Sequence, residues 1–453
     1  MYKLLKNAVD THGMRVFVVY ENVEYSYKEI FERVIFTAEK LSTILEKRIA
    51  VISKNSLEFL ILLLASPIAK KELLLINTRL TPSEIGHQLE SAKISLVIVE
   101  KEFKEKVPTK IMHMTFQEIE NSSSTLIEER ENSLEEIFYI MYTSGTTGKP
   151  KAVPHKKKNL LASAQSSSEI LGVGESDNWL LYLPLFHVSG LMILIRTMAN
   201  HTALTLFKGF EEDKIIRVIE QKKVNIASMV PSTLLELVDR VNLQNFRIIL
   251  LGGAKPSYKL LERAKHQNLP IFQTYGMTET TSQIATLTKE YIYTKVGSVG
   301  KVIPSNSLEI RNLQSDGVGE IFVKGTSVID SYLEGDKIDW FRTGDMGSFD
   351  SEGFLYIVAR RTDLIVSGGE NIYPIEIEEK IIALVGVDEV CVVKRFDEKW
   401  GEVPIIYFVG NASLCDIMRV LDEKLAKYKH PREIIRVDSL PRNSLGKIMR
   451  HKL

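Results

Sequence analysis

Residues 142–153 read YTSGTTGKPKAV, a run dense in groups that bind anions. Thr143, Ser144, Thr146 and Thr147 supply hydroxyl donors. Gly145 and Gly148 let backbone N–H groups come close to a ligand, and Lys149 adds a positive charge. This is equipment for phosphate, because charge-assisted hydrogen bonds are about twice as strong as neutral ones. A Walker-type loop is excluded. That loop needs Gly-x4-Gly-Lys-Ser/Thr running straight into a helix. Here Gly145 and Gly148 stand too close together, and Lys149 is followed by Pro150, which lacks an N–H and turns its predecessor away from helical geometry. A single loop of this composition is more often a solvated turn, so the rest of the chain must decide.

Further runs follow: PLFHVSG at 184–190, LGGA at 251–254, YGMTE at 275–279, GEIFVKG at 319–325, RTGD at 342–345, RRTDLIVSGGENIYPIEIE at 360–378 and PRNSLGK at 441–447. With the first loop they resemble, in the same order, the motifs of the adenylate-forming acyl-CoA synthetase superfamily, which also holds luciferases and peptide-synthetase adenylation domains. The resemblance spans most of the chain. It implies ATP, Mg2+ and coenzyme A as cofactors and co-substrates, and a carboxylic acid as the small-molecule partner. In such enzymes the loop from Thr143 and Ser144 through Gly145, Thr146, Thr147, Gly148 and Lys149 would hold phosphates. Tyr275 would stack on adenine, with Gly252, Gly253 and Ala254 as a side-chain-poor opposite wall and Gly276 beside it. Asp345 would accept the ribose hydroxyls, Arg360 would contact ribose or phosphate, Thr278 would donate to the α-phosphate, and Glu279 would be the Mg2+ ligand. Lys447 would bridge the substrate carboxylate and the α-phosphate. A lysine so placed is by itself an ordinary solvated charge, and only the whole PRNSLGK match gives it this role. The implied mechanism has two halves, acyl-AMP formation and then thioester formation. Between them a C-terminal domain turns about a hinge at 360–363, withdrawing Lys447 and bringing Gly368 and Gly369 towards the CoA thiol. His187 would lie by the acyl pocket, orienting or gating the substrate.

One residue speaks to the acid. LMILIRTMANHTAL at 191–204 is an apolar helical run with Arg196 inside it. Burying an unpaired guanidinium costs several kcal/mol, so Arg196 either snorkels to water, has a structural partner, or meets a ligand anion. A fatty-acid pocket has no use for a cation, whereas a second carboxylate suits arginine well. The surrounding LPLFHVSGLMILIR, MVPSTLLELV and YGMTETTSQIATL are most similar to the branch of the superfamily that serves menaquinone biosynthesis, whose substrate is a keto acid with an extra aromatic carboxylate. That resemblance implies that Arg196 binds the aromatic carboxylate, that Ser228 assists, and that Thr274 and Ser282 line the pocket. Lys156 and Lys157 depart from the family pattern and put the lining of that region in doubt. Lys427, Lys429 and Arg432 read equally as CoA-phosphate contacts and as a solvated face. An aryl- or medium-chain acyl-CoA synthetase, an enzyme adenylating a carrier protein, and a nucleotide-binding regulator without catalysis remain alternatives. Intact Thr278, Glu279, Asp345 and Lys447 argue against the regulator.

The elements that must hold these residues follow from periodicity. RIAVIS, ELLLIN and ISLVIVE are short β-rich runs separated by helical ones. Ser56 can cap the apolar helix containing FLILLLAS, and TPSE at 81–84 makes a capping box of Thr81 and Glu84 with Pro82 in the first turn. That rhythm predicts a mainly parallel, buried sheet. It resumes after a polar surface excursion at 101–136, changes near Val296 to short antiparallel strands, and becomes mixed α+β after Arg360. The fold class is therefore α/β: a large N-terminal domain (1–359) of parallel α/β subdomains plus a small β-barrel-like unit, a boundary of four polar residues (360–363), and a small α+β C-terminal domain (364–453); the resemblance implies that the boundary is a hinge and the C-terminal domain a mobile lid. At 453 residues the chain exceeds one ordinary core. Equal numbers of basic and acidic residues, 58 each, exclude a global field for nucleic acid or anionic membrane. The two cysteines, Cys391 and Cys415, have no metal-like spacing and suit a reducing compartment. The start shows no sustained apolar segment before a cleavage site, so no secretory signal is expected; no apolar run reaches bilayer length, and the terminal HKL is only a faint likeness of a peroxisomal address. Cytoplasm is the expected location, and a homodimer is left open.

Overall fold

The computed structural model of the protein describes residues 1–127, 132–144, 150–253, 256, 258–313, 318–359, 365–372, 374–441 and 450–453. Among these, the strands form three sheets. In the first, Met112–Met114, Leu96–Val99, Arg48–Ile52, Glu72–Leu75 and Ile137–Ser144 run parallel, and Pro150–Lys156 closes the edge as an antiparallel partner of Ile137–Ser144. The capping signals act as read from the sequence. Ser56 accepts from the Phe59 amide, and Thr81 and Glu84 form a reciprocal capping box with Pro82 at the first turn. Helix Leu57–Ile68 is buried along almost its whole length, as a helix that is apolar all round must be. The stretch at 101–136 is more than a surface excursion. It contributes the edge strand Met112–Met114 and a short helix, Phe116–Glu120, capped by Thr115.

The second sheet carries the cleft. Its parallel part runs Ile271–Met277, Ile248–Leu251, Ile226–Met229, Asn178–Leu181, Ala203–Leu206 and Val16–Tyr20. At one end Ser282–Leu287 folds back antiparallel on Ile271–Met277. From there Ser298–Val302, Leu355–Ala359, Phe341–Phe349, Gly319–Gly325 and Asn306–Arg311 continue as an antiparallel meander with its own apolar core. The β unit is thus continuous with the large sheet. One apolar core spans both parallel sheets. Buried Asn55 ties the sheets together: its amide nitrogen donates to Leu183 O (3.0 Å) and Phe207 O (3.1 Å), and its oxygen accepts from the Leu185 amide (2.8 Å). This side chain fixes the start of the PLFHVSG run.

From Ile365 onward the strands belong to a third sheet: Glu370–Ile372, Ile365–Ser367, Gly401–Gly410 and Val387–Asp397, with Glu433–Arg436 parallel to Gly401–Gly410. It packs helices Pro374–Ile381 and Leu414–Lys424 around a separate core including Ile377, Val392, Phe408 and Leu421. The hinge at 360–363 lies outside the described residues.

Helix Val188–Ala199 carries Arg196 and begins at His187. Its first turn lies directly on backbone, because a Cβ at Gly190 would sit 2.2 Å from Pro184 O and 2.7 Å from Leu183 O. Gly190→Ala must therefore push the helix off its seat. The expected loss is about 1–3 kcal/mol of stability in chemical denaturation, while the exposed neighbour change Ser189→Ala stays within about 0.5 kcal/mol.

Candidate active site

Strands of the second sheet end at a cleft of about 580 Å³ between the large and small domains. A crevice outside the carboxyl ends of parallel strands is where α/β sheets bind ligands. Neighbouring strands in register deliver Ser228, the Gly252–Gly253 turn and Thr274 to it. Two glycines are there because nothing larger fits. A Cβ at Gly252 would stand 2.6 Å from Thr274 Oγ1, and one at Gly276 would stand 1.6 Å from Ser282 O.

One end of the cleft is organised by Arg196, which lines it and is only 1% exposed. One guanidinium nitrogen, Nη2, donates to Gln283 Oε1 at 2.8 Å and to Ser282 Oγ at 3.2 Å. The guanidinium carbon lies 6.0 Å from the centre of the Trp179 ring, within reach of a cation–π attraction. Among the described residues Arg196 Nε is buried with no partner, as is Ser228 Oγ in the same cleft. Among the described residues Arg196 makes no ion pair. Burial lowers its pKa to about 10, so it stays charged at neutral pH. Arg196, Ser228, Thr274 and Ser282, four residues expected to line an acyl pocket, all line this cleft. Gln283 was not anticipated, because a lone glutamine in a strand carries no pattern.

Thr143, Gly253, Gly276, Thr278, Glu279 and Asp345 line another part of the cleft. Glu279 Oε1 accepts from Thr143 Oγ1 (3.2 Å) and from the Tyr332 hydroxyl (3.3 Å), which orients the carboxylate. Among the described residues no group of three or more His, Cys, Asp or Glu could hold a metal. A lone carboxylate among hydroxyls still suits Mg2+, which takes one or two carboxylates and completes its shell with substrate phosphates and water.

Tyr275 differs from expectation. Its ring is 1% exposed, packed in the core of the β unit, and its hydroxyl donates to Asp345 Oδ2 at 2.6 Å. With no open face it cannot stack on a base in this arrangement; it stands behind the wall and aims Asp345. Of the other residues expected at the nucleotide, Gly145, Thr146, Thr147, Gly148, Lys149, Ala254 and Arg360 lie outside the described residues, as does Lys447. For Ser144 only the backbone is described, at the end of Ile137–Ser144.

The small domain presents Gly368 and Gly369 at the tip of the hairpin Ile365–Ser367/Glu370–Ile372, where φ is +55° and +84°. Two consecutive positive φ values are the requirement of a tight two-residue hairpin turn and favour glycine. Crowding adds to it: a Cβ at Gly368 would lie 2.7 Å from the Trp400 ring, and one at Gly369 would lie 3.3 Å from Val230 of the large domain. Beside them His187 Nε2 is 3.1 Å from Glu370 Oε1, and Arg79 Nη1 donates to the same oxygen at 3.3 Å. Lys429 is buried, donating to Glu84 of the large domain (2.7 Å) and Glu376 of the small one (2.8 Å). The reading of Lys429 as a CoA-phosphate contact or a solvated charge is therefore corrected: its ammonium is taken up by two carboxylates. The doubt over Lys156 and Lys157 also resolves. Lys156 and Lys158 both pair with Glu135 and Asp330, and Lys157 donates to Asn132 O, so none of them lines the cleft.

The AMP-binding enzyme family matches residues 5–333 and its C-terminal domain matches residues 376–447. The chain belongs to that family. A 2-succinylbenzoate–CoA ligase of Lactococcus lactis is 39% identical over 456 aligned residues, covering 100% of this chain and 99% of the relative. The o-succinylbenzoate CoA synthetase of Bacillus subtilis, as a double mutant bound to a product analogue, is 34% identical, covers 99% of this chain and 97% of its own, and superposes with a TM-score of 0.94. The same B. subtilis enzyme in complex with its acyl-adenylate intermediate, at equal coverage, gives 0.77.

Burial pushes the Glu370 carboxyl up, but His187, Arg79 and Lys429 outweigh it and leave it below its ordinary value of 4.5. A carboxylate with a lowered pKa contributes fully above the ordinary value, and its contribution is lost as pH falls through the lowered one. A fluorescence-transfer pair across the two domains should therefore report an unchanged distance from neutral pH down to about 4.5 and a change only below it. Glu370→Gln, uncharged throughout, should shift that distance already at neutral pH.

Proposed function

We propose that the protein activates o-succinylbenzoate with ATP and transfers it to coenzyme A, giving o-succinylbenzoyl-CoA, AMP and pyrophosphate. The observation that carries this is Arg196: a buried, charged guanidinium in the cleft, held among the described residues by neutral groups, with its Nε and the Ser228 hydroxyl in the same cleft unpaired among those residues. That arrangement is costly for an apolar acid and complementary to a second carboxylate. The names of the relatives at 39% and 34% identity point to the same acid.

In the first half-reaction the succinyl carboxylate attacks the α-phosphorus and pyrophosphate leaves. Thr278 and Lys447 stabilise the negative charge that builds on the phosphate, and Asp345, aimed by Tyr275, takes the ribose hydroxyls. Mg2+, held by Glu279, neutralises phosphate charge when bound. Arg196 and Ser228 fix the ring carboxylate, so that only the succinyl carboxylate reaches the phosphorus. In the second half-reaction the CoA sulfur attacks the acyl carbonyl and displaces AMP. For this the small domain turns about 360–363, withdraws Lys447 and sets Gly368 and Gly369 beside the thiol's path. The ion pairs of Glu370 and Lys429 support this second arrangement, which agrees with the higher similarity to the product-analogue complex. We place the reaction in the cytoplasm, where ATP and CoA are at hand; no helix among the described residues is long and apolar enough to cross a membrane.

The test is thioester formation by the purified protein with Mg-ATP and CoA, comparing o-succinylbenzoate with benzoate and octanoate. Product from o-succinylbenzoate alone is expected, with kcat/KM falling by roughly 10²–10³ in Arg196→Gln, the usual cost of removing one side of a buried charge pair. Equal or better turnover of the monocarboxylates would refute the assignment and leave a general acyl-CoA ligase.

A further inference from the structure

Buried arginines are ordinarily paired with a carboxylate, yet the groups holding Arg196 are an amide and a hydroxyl. Gln283, 1% exposed on strand Ser282–Leu287, accepts from Arg196 Nη2 through Oε1 at 2.8 Å. Its nitrogen donates to the buried Thr286 Oγ1 at 2.9 Å. The orientation of the amide is determined by chemistry. A guanidinium only donates, so the oxygen must face Arg196 and the nitrogen must find an acceptor, which the Thr286 hydroxyl provides. The second holder, Ser282 Oγ at 3.2 Å, is likewise neutral. Its backbone has φ +89°, following Thr281 at +50°, a conformation side-chain-bearing residues rarely adopt. Gly276 makes room for it, since a Cβ there would meet Ser282 O. The fold thus holds an unusual strand start so that neutral acceptors reach the guanidinium.

We propose that Gln283 is a specificity-determining positioning residue: its amide, locked by Thr286, anchors Arg196 without cancelling its charge, leaving that charge for the second carboxylate of the acid. A glutamate of the same size would anchor Arg196 equally well and neutralise it. The pocket would then hold a completed ion pair with no call for an anionic ring substituent. This inference rests on the dicarboxylate reading above and deepens it.

Steady-state pyrophosphate release by the full chain tests it, comparing o-succinylbenzoate with 4-oxo-4-phenylbutanoate, the same acid without the ring carboxylate. The wild type should prefer o-succinylbenzoate strongly. In Gln283→Glu the ratio of kcat/KM values for the two acids should fall by about tenfold or more, the worth of one hydrogen bond to a charged group. The fall should be carried by KM for o-succinylbenzoate rather than by kcat. Thr286→Val, which removes the acceptor that locks the amide, should lower the ratio in the same way by a smaller factor. It reads the same point if Gln283→Glu does not fold. A ratio unchanged in the folded variants, or both acids losing equally, would overturn the inference and mark Gln283 as structural. A wild type that makes no distinction between the acids would instead overturn the dicarboxylate reading, and this inference with it.

Discussion

A positive charge with no counter-charge among the described residues, buried at the end of an apolar helix, is the constraint around which the cleft is built. Desolvating a guanidinium costs several kcal/mol unless something repays it. Around Arg196 the repayment inside the protein is partial: two hydrogen bonds to neutral oxygens and the face of Trp179. On the proposed function the remainder falls to the substrate's ring carboxylate. Much of the local structure serves this arrangement. Gly190 seats the helix on the backbone of 183–184, Asn55 secures that backbone to the first sheet, and Gly276 clears the space that Ser282 occupies.

The second constraint is that adenylation and thioester formation need different donors around the same carbonyl. Ion pairs cross the contact between the domains. Glu370 receives His187 and Arg79, while Lys429 is shared between Glu84 and Glu376. Such a contact suits two alternating arrangements. Buried charge pairs define orientation well without adding the large net stability that an apolar interface would. Burial lowers the pKa of Lys429, but Tyr428, Glu376 and Glu84 raise it further, so the ammonium stays charged in its buried place.

Much of this could be read from the sequence because it is local. Capping at Ser56 and Thr81, the alternation of apolar strands and helices, and the change to short antiparallel strands near Val296 all depend on neighbours in the chain. That Arg196, Ser228, Thr274 and Ser282 share one cleft could also be read, since the family motifs and one misplaced charge point to them. What could not be read depends on contacts between distant segments. Tyr275 looks like a stacking residue until its hydroxyl is seen on Asp345, 70 positions away. Lys429 looks like a surface lysine until Glu84, 345 positions away, is found beside it. Gln283 has no sequence signal, because an amide chosen for what it does not neutralise resembles any other amide.

The claim that Arg196 is a charge reserved for the substrate is tested most directly by following the ring carboxylate itself. Carbon-13 NMR of o-succinylbenzoate labelled at that carboxyl and bound to the protein reports its ionisation as pH is lowered. If the account is right, the label stays ionised well below the pH at which the free acid titrates, and this protection disappears in Arg196→Gln. A bound ring carboxylate that titrates like the free acid, in wild type and variant alike, would contradict it.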